Sequence, residues 1–453
     1  MTSMADIVAP LAQRSIDECR TPAMAWGVVV DGSLATAGSQ GEGIDENTPF
    51  RIASMTKSFT AAAVLGLRDE GVLSLDHPVA DYVPELASVR GPGDSAPITL
   101  RHLLSMSAGM ATDDAWADRH LDASIDFMND VYDSGVRFAV KPGEAFEYSN
   151  LGFAMIGRVV LKVTGRRVRD HVEERLLRPL GMSNTTWDEP NTPSARPHRV
   201  QDGQTIHDGP EPLSDGEISP MGGLWSTVAD LATWVSWLDE ANAGRDSGTG
   251  DLRASSRREM QTMNTYLGAS TLDGVAAPSG YGFGLLVRDD ATLGLVASHS
   301  GGLPGYGSNM RWKKGSSVGV IGLANVTYAP MTVFTHRALS ALHGAGLVPG
   351  PSIQLAPELR QRCESLVALL NSWNDDAARA LFADNVVLDD AFERRANEAA
   401  RHLAGGRMDV TAIRPVNRTS GFIDVAVGSR RAVIEIALSP LGGLVQEYSW
   451  KDL

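Results

Sequence analysis

The chain has 453 residues, 43% of them hydrophobic and 21% charged, so it is long enough to build a large core and more than one domain. Its formal net charge of −15 argues against nucleic acid or an anionic membrane as a partner. No apolar run approaches the roughly 20 residues that a membrane-spanning helix needs. Residues 1–14 contain no basic region followed by an apolar core, so we expect no signal peptide and a cytoplasmic protein.

Helical periodicity, strand-like runs and turn signals predict the elements of the first half of the chain. Strands are predicted at residues 24–30 and 34–37, on either side of the hairpin signal Asp31-Gly32. Helices are predicted at residues 54–70, 100–108, 150–164, 171–177 and 228–238. Residues 76–96 are interpreted as a loop because they contain Pro78, Pro84, Pro92 and Gly93.

Residues 184–220 hold six prolines and few apolar side chains. An irregular segment of this length is usually functional or disordered. Two interpretations therefore stay open: a roof over an active site, or a mobile surface loop. Residues 242–256 are interpreted as a polar linker.

The second half of the chain is predicted to contain a run of strands and then a separate unit. The strands are predicted at residues 281–288, 294–298, 309–312 and 318–325, before a closing helix at 331–343. Residues 346–357, rich in Gly and Pro, are predicted to link a domain at 1–345 to a domain at 358–453. In the last domain, helices are predicted at 359–373, 376–382 and 390–403, and strands at 408–415, 421–427, 431–438 and 444–450.

The two cysteines, Cys19 and Cys363, lie far apart in the chain and fit no metal-binding spacing. Cys19 falls on the apolar stripe of a helix predicted near the start of the chain, together with Val8, Leu11, Ala12 and Ile16. We interpret both as buried free thiols, which suits a reducing compartment. Neither a metal nor a cofactor is predicted.

One short stretch, Arg51-Ile-Ala-Ser-Met-Thr-Lys-Ser-Phe-Thr60, carries the strongest chemical signal. Ser54 and Lys57 are three residues apart at the start of a predicted helix, so they share a face. A serine hydroxyl is a poor nucleophile until a base takes its proton, and a lysine can be that base if burial and nearby cations lower its pKa. The alternative is a helix cap beside a solvated lysine.

Two later stretches contain other groups that acyl transfer needs. In Phe146-Glu-Tyr-Ser-Asn150, Tyr148 is expected to relay protons once an ammonium lowers its pKa, and Asn150 can accept and donate hydrogen bonds. In Ser298-His-Ser-Gly-Gly-Leu-Pro-Gly-Tyr306, the glycines allow close approach of a substrate to the backbone. Taken singly, the first stretch also fits a strand-to-helix turn with a core aromatic, and the second a strand end with a structural histidine.

Together, the order Ser-x-x-Lys, Tyr-x-Asn and His-Ser-Gly resembles the serine β-lactamase and penicillin-binding-protein superfamily. It is most similar to the class C-like branch, which includes family VIII carboxylesterases and D-stereospecific aminopeptidases and amidases. The resemblance extends over residues 5–345 and includes His102-Leu-Leu-Ser-Met-Ser-Ala-Gly109 and Tyr281-Gly-Phe-Gly284. It implies a β-lactamase/transpeptidase-like α/β (α+β) fold, with an antiparallel sheet flanked by helices and an all-helical subdomain.

The resemblance also implies a role for each matching residue. Ser54 would be the acylated nucleophile, Lys57 its activating base, and Tyr148 a partner in proton transfer. Asn150 would orient the carbonyl side of the substrate. The third motif would supply the catalytic-site His299 and the substrate-binding residues Ser300, Gly301 and Gly302, with the Ser54 and Gly302 N–H groups as the oxyanion hole.

His299 departs from the lysine that is usual in β-lactamases, where it serves the substrate carboxylate. This puts β-lactamase activity in doubt and favours the esterase and D-peptidase branch. A second serine motif, Gly315-Ser-Ser-Val-Gly319, matches a nucleophile elbow at Ser317. We do not expect Ser317 to be catalytic, because a hairpin turn and a strand are predicted there instead of a strand, a sharp turn and a helix.

The sequence therefore predicts a serine hydrolase that cleaves carboxylic esters or amides through a Ser54 acyl-enzyme, foremost a family VIII-type carboxylesterase. The alternatives are a D-stereospecific aminopeptidase or amidase, and a β-lactamase-like sensor that binds a ligand without turnover. The C-terminal unit, by its order of helices and strands alone, resembles the nuclear-transport-factor-2-like α+β cone. It fits a lid, a small-ligand pocket or a surface through which the chain forms a homo-oligomer.

Overall fold

The computed structural model describes residues 3–208, 214–245, 248–349 and 353–451. The chain divides into two compact units, Met1–Gly350 and Pro351–Leu453. Each unit has hydrophobic core of its own. The division falls inside the segment rich in Gly and Pro at residues 346–357. No helix within the described ranges is long and apolar enough to cross a membrane.

The first unit is built on one antiparallel sheet with the strand order β2-β1-β12-β11-β10-β9-β8-β7. Its strands are β1 (Met24–Val30), β2 (Ser33–Gln40), β7 (Thr265–Leu272), β8 (Val275–Tyr281), β9 (Leu286–Asp290), β10 (Gly294–Leu303), β11 (Tyr306–Lys313) and β12 (Val318–Ala324). Two short pairs stand apart from it: β3 (Phe50–Arg51) with β6 (Trp225–Ser226), and β4 (His198–Gln201) with β5 (Gln204–His207). The predicted fold class is confirmed.

One strand prediction was wrong, and one hairpin was not predicted. The strand expected at residues 281–288 is the end of β8 and the start of β9, because a turn through Gly282 and Gly284 separates them. The hairpin of β7 and β8 was missed, since Gly268 and Pro278 lie within it and read as breakers in a sequence.

The helices of the first unit cover both faces of the sheet and form the all-helical part. They are α1 (Met4–Cys19), α2 (Thr56–Asp69), α3 (Val79–Tyr82), α4 (Leu100–Leu104), α5 (Asp114–Ala117), α6 (Ile125–Asp133), α7 (Asn150–Thr164), α8 (Val168–Val172), α9 (Arg178–Leu180), α10 (Val228–Glu240), α11 (Ala254–Met260) and α12 (Met331–Gly344). Short 3₁₀ turns occupy Ala53–Met55, Pro84–Ser88 and Ser219–Met221, and a π turn occupies Glu173–Leu177.

The alternation along β1 explains how the layers form. Met24, Trp26 and Val28 pack in the core that contains α1 and α12, whereas Ala25 and Val29 pack in the core that contains α10. Successive side chains of a strand point to opposite faces, so a strand with both faces covered reads as a continuous apolar run. The sheet is therefore the middle layer between two helical layers.

Three other predictions need correction. The loop expected at residues 76–96 contains α3 and a 3₁₀ turn. The irregular segment 184–220 contains the β4–β5 hairpin and a 3₁₀ turn, and its residues 209–213 lie outside the described residues. Cys19, expected to be buried, is only half-buried at the end of α1, whereas Cys363 is buried.

The second unit is an antiparallel meander with helices before it. Its helices are α13 (Pro357–Asn371), α14 (Asp375–Leu381), α15 (Asp384–Asp389) and α16 (Phe392–Leu403), and its strands are β13 (Met408–Pro415), β14 (Ser420–Val427), β15 (Arg430–Leu438) and β16 (Val445–Lys451). The strands pair in chain order. The alternating burial of β14 places one face of this sheet on the core, which is the pattern of a half-solvated antiparallel sheet.

Candidate active site

Ser54 lies on a tight turn between the short strand β3 and helix α2. The residue before it, Ala53, has a φ of 49°, a left-handed conformation that is unfavourable for residues with a Cβ and is often found at functional sites. The α-helix begins at Thr56, so the predicted helix start at residue 54 is two residues early. Strand β10 lies against this turn: a Cβ on Gly301 would come within 2.1 Å of the Ile52 carbonyl oxygen. Only glycine fits there.

Lys57 lies in the first turn of α2 and is fully buried. Its Nζ is 2.8 Å from Ser54 Oγ, 2.6 Å from Asn150 Oδ1 and 3.0 Å from the Met221 carbonyl oxygen. The two carbonyl oxygens can only accept hydrogen bonds. A neutral amine has two N–H groups for these two acceptors, and its lone pair is then left for the Ser54 hydroxyl proton. Neutral Lys57 is therefore placed to take the proton of the Ser54 hydroxyl.

The charge state of Lys57 is set by opposing influences. Burial lowers its pKa to about 8, while the carboxylates of Asp114, Asp118 and Asp113 act in the opposite direction. The sequence analysis named burial and nearby cations as the causes that could lower this pKa; burial does so, but the charged neighbours are carboxylates and oppose it. Burial also raises the pKa of Asp118 and of Asp113.

Asn150 connects the base to the helical part of the unit. Its Oδ1 accepts from Lys57, and its Nδ2 donates to Asp114 Oδ1 at 2.7 Å. This orientation of the amide is required, since a carboxylate can only accept. Asp113 accepts from the backbone N–H groups of Asn150 and Leu151 at 2.8 and 2.7 Å and so caps the start of α7. The structure thus ties Asn150 to the base, whereas the sequence assigned it to the substrate.

Tyr148 lies beside the base and the nucleophile. Lys57 Nζ is 4.9 Å from the centre of its ring. Burial raises the pKa of Tyr148 well above its ordinary value, Tyr281 adds to the increase, and an interaction with the Ser54 side chain opposes it. The expectation that an ammonium lowers this pKa was wrong, because Lys57 faces the ring and burial dominates. Tyr148 is therefore a neutral phenol that can donate a proton.

His299 does not hydrogen-bond to the nucleophile. Its Nδ1 is 2.6 Å from the Ser300 carbonyl oxygen, which can only accept, so Nδ1 carries the proton and Nε2 accepts from the Tyr281 hydroxyl at 2.9 Å. Burial, and to a smaller extent Lys57, lowers the pKa of His299 to about 3. His299 is therefore a neutral side chain with both ring nitrogens engaged, and its partner Tyr281 packs edge-on against the Tyr148 ring.

The remaining residues of the third motif lie along the strand edge. In the described residues, β9 pairs with β10 only as far as Ser298. Ser300 and Gly302 follow beyond that point and are both partly exposed. Ser317 lies in the hairpin turn between β11 and β12, as predicted, with its N–H donating to Asp239.

Five residues of the site were not assigned a role from the sequence: Asp113, Asp114, Asp118, Tyr281 and Tyr328. Tyr281 belongs to a motif that the sequence marked, and this was the only signal for any of them. Within the described ranges, no group of three or more His, Cys, Asp and Glu side chains is arranged to hold a metal ion.

The site can be compared with solved structures. The octameric penicillin-binding protein homologue from Pyrococcus abyssi is similar with a TM-score of 0.63 and 21% identity, over 98% of this chain and 96% of that chain. At that identity the likeness concerns the fold alone. The D-stereospecific amidohydrolase from a Streptomyces species is similar with a TM-score of 0.59 and 25% identity, over 73% of this chain and 97% of that chain.

Curated relatives are similar over part of their length. Protein flp of Staphylococcus aureus strain MW2 is 27% identical over 294 residues, which are 63% of this chain and 55% of that protein. Beta-lactamase-like protein 4 of Dictyostelium discoideum is 27% identical over 314 residues, 66% of this chain and 54% of that protein. The chain thus spans about half the length of these relatives. The family model described as Beta-lactamase matches residues 5–345, and the chain therefore belongs to the beta-lactamase family.

Proposed function

We propose that the protein is a serine hydrolase that cleaves carboxylic esters or amides through an acyl-enzyme on Ser54. The observation that carries this proposal is the contact of 2.8 Å between Lys57 Nζ and Ser54 Oγ. The other two contacts of Nζ are with carbonyl oxygens, so the lone pair of the neutral amine is directed at the serine. A relative that binds its ligand without forming an acyl-enzyme would not need such a base.

In the first step, Ser54 Oγ attacks the carbonyl carbon and its proton passes to Lys57 Nζ. The carbonyl π electrons move onto oxygen, where the N–H groups of Ser54 and Gly302 stabilise the negative charge. When the tetrahedral intermediate collapses, the bond to the leaving group breaks and the leaving atom takes a proton from the Tyr148 hydroxyl. Lys57 then returns a proton to Tyr148. In the second step, water attacks the acyl-enzyme and gives its proton to Lys57. The bond to Ser54 Oγ then breaks, Oγ takes a proton from Tyr148, and the acid is released.

The substrate is proposed to lack a carboxylate beside the scissile bond. Both nitrogens of His299 are engaged inside the protein, so this position offers no cation to such a group. The neighbouring carboxylates of Asp113, Asp114 and Asp118 act on the charge of Lys57 and would repel an anion. Short-chain esters carry no carboxylate beside the scissile bond and no negative charge. A family VIII-type carboxylesterase is therefore the function that we place first.

Aminoacyl amides are the second candidate, because the same carboxylates would attract the free amine of such a substrate. The likeness to the D-stereospecific amidohydrolase, at 25% identity, supports this alternative. Esters and amides use the same acyl-enzyme, so the two candidates differ only in the groups that flank the scissile bond.

A substrate panel with matched serine variants tests the proposal. Nitrophenyl acetate, D- and L-aminoacyl anilides and a chromogenic cephalosporin are assayed with the wild type, Ser54→Ala and the control Ser317→Ala. We expect the highest kcat/KM with the ester, complete loss in Ser54→Ala, and little change in Ser317→Ala. A fluorophosphonate should label Ser54, identified by peptide mapping.

Each contrary result has a distinct meaning. A single burst of one product per chain without turnover would identify a sensor. The highest kcat/KM with the cephalosporin would refute our interpretation of His299, and turnover of the D-anilides alone would favour the amidase. Labelling of Ser317 in the intact protein would overturn the assignment of the nucleophile.

A further inference from the structure

Tyr328 lies in the loop between β12 and α12, outside the motifs identified in the sequence. Its backbone has a φ of 53°, a left-handed conformation that is uncommon for a residue with a side chain. Its N–H donates to the Tyr306 carbonyl oxygen at 3.1 Å, which fixes the loop on β11. Its ring lies against Gly302: a Cβ there would come within 2.5 Å of Tyr328 Cδ1. Gly302 is the proposed oxyanion donor, so the ring borders the reacting centre.

The hydroxyl of the same side chain crosses to the helical part of the unit. Tyr328 Oη donates to Asp118 Oδ2 at 2.9 Å, and Asp118 is 3% exposed whereas Tyr328 is 51% exposed. The segment that follows Asp118 also reaches the nucleophile turn, because the Leu121 side chain and Ala53 both lie next to Gly222. The hydrogen bond therefore joins the sheet and the helical part, on either side of Ser54.

The direction of a bound ester follows from the order of groups along β10. The leaving group must face its proton donor, Tyr148, whose ring packs against Tyr281, the partner of His299. Gly302 is three residues further along the strand, which is about 10 Å at the usual rise of a strand. With the carbonyl oxygen between the two proposed N–H donors and the leaving group toward Tyr148, the acyl chain would extend away from Tyr148, and the Tyr328 ring beside Gly302 is the side chain it would meet.

We propose that Tyr328, held in place by Asp118, is the end wall of the acyl pocket and limits the length of the acyl chain that the enzyme accepts. This inference rests on the proposed function, since it concerns the acyl side of the Ser54 intermediate. The phenol supplies an apolar face to the chain, and its anchored hydroxyl prevents the ring from swinging away. The half-exposed ring is thus a specificity-determining residue and takes no part in proton transfer.

The test is an acyl-chain series with a constant leaving group. The kcat/KM values for nitrophenyl acetate, butyrate and octanoate are measured for the wild type, Tyr328→Ala and Tyr328→Phe. In Tyr328→Ala, we expect the octanoate-to-acetate ratio to rise about tenfold or more, the usual effect of changing the space for a few methylenes. Tyr328→Phe keeps the ring and loses the hydrogen bond to Asp118, so its ratio should rise by a smaller factor.

Two controls make the result specific. Tyr266→Ala removes a tyrosine of the same unit that is 65% exposed on β7, and its ratio should remain that of the wild type. A leaving-group series of phenyl and 2-naphthyl acetates should give the same ratio in the wild type and in Tyr328→Ala. Thermal unfolding of each variant checks that the folded state is retained, and the ratio is independent of the active fraction.

The outcomes separate this inference from the function on which it rests. If the enzyme is active and its octanoate-to-acetate ratio is unchanged in Tyr328→Ala, Tyr328 is not the end wall of the acyl pocket. The proposed function would not be affected. A change in the leaving-group ratio with a constant acyl ratio would place Tyr328 on the other side of the bond and would also overturn it. Failure of the wild type to acylate Ser54 would overturn the proposed function and this inference with it.

Discussion

At the scale of single residues, the chemistry of the site depends on Lys57 being neutral when it meets the substrate. The sequence predicted the pair of Ser54 and Lys57 because their spacing places them on one face of a helix start. It could not predict the carbonyl oxygens of Asn150 and Met221, which lie 93 and 164 residues away in the chain and orient the amine. Contacts at such separations leave no local pattern in a sequence.

The pH dependence of kcat/KM tests the role of Lys57. Its pKa of about 8 lies below the ordinary value of a lysine, so the basic form is populated above that pH and lost below it. We expect kcat/KM for a non-ionising ester to fall about tenfold per pH unit on the acid side and to level off above pH 8. The Lys57→Ala variant should lose this limb together with nearly all activity.

A control variant separates Lys57 from the only imidazole of the catalytic motifs. The pKa of His299 is about 3, so His299 does not change charge over the range of the assay. A His299→Gln variant should therefore keep the midpoint of the acid limb, whatever its absolute rate. A limb that persists in Lys57→Ala, or that vanishes in His299→Gln, would contradict the assignment of the base.

At the scale of elements, the end of β8 contacts β10 through the hydrogen bond between Tyr281 and His299. The sequence placed His299 just after a strand predicted to end at residue 298, whereas β10 continues to Leu303 and contains it. It did not predict the bond from the Tyr281 hydroxyl, because residue 281 was expected to begin a strand that continues to 288, whereas it ends β8. The turn after β8 ends that strand, so Tyr281 lies beside both His299 and Tyr148.

We predict that Tyr281 and His299 are energetically coupled. Tyr281→Phe leaves His299 Nε2 buried without its donor, and should lower the free energy of unfolding by about 1–3 kcal/mol. In the double variant Tyr281→Phe/His299→Leu, both polar partners are gone, so the loss should be smaller than the sum of the two single losses. Urea unfolding of the four proteins measures this coupling.

The matched control is Tyr266→Phe, which removes the hydroxyl of an exposed tyrosine and should leave the free energy of unfolding nearly unchanged. Strict additivity of the Tyr281 and His299 variants would show that the hydrogen bond contributes nothing to stability. The prediction of coupling between Tyr281 and His299 would then be wrong.

At the scale of the whole molecule, the order of elements in the first unit could largely be predicted, because its central strands and long helices have strong apolar periods. The strands of the second unit were predicted within one residue, and β14 shows the clearest signal because every second residue along it is buried. The β7–β8 hairpin and the elements in 76–96 and 184–220 were missed. Gly and Pro lie inside or next to these short elements and interrupt the local pattern there.

The last prediction concerns independence of the two units. Leu366 in α13 and Leu65 in α2 are each fully buried, but in different cores. Each Leu→Ala change should lower the stability of its own unit by about 2–5 kcal/mol, through lost burial and the cavity that remains. Because all residues that we propose for acyl transfer lie in the first unit, Leu366→Ala should leave the rate of Ser54 acylation unchanged.

Thermal unfolding followed by near-UV circular dichroism and by Ser54 labelling distinguishes the units, since a chain of two domains need not unfold in one transition. Leu366→Ala should shift a transition that labelling does not follow, whereas Leu65→Ala should shift the transition at which labelling is lost. If Leu366→Ala abolished acylation while the first unit kept its native spectrum, the second unit would have to supply part of the catalytic site. The division at residue 350 would then describe the packing of the chain and not the location of its chemistry.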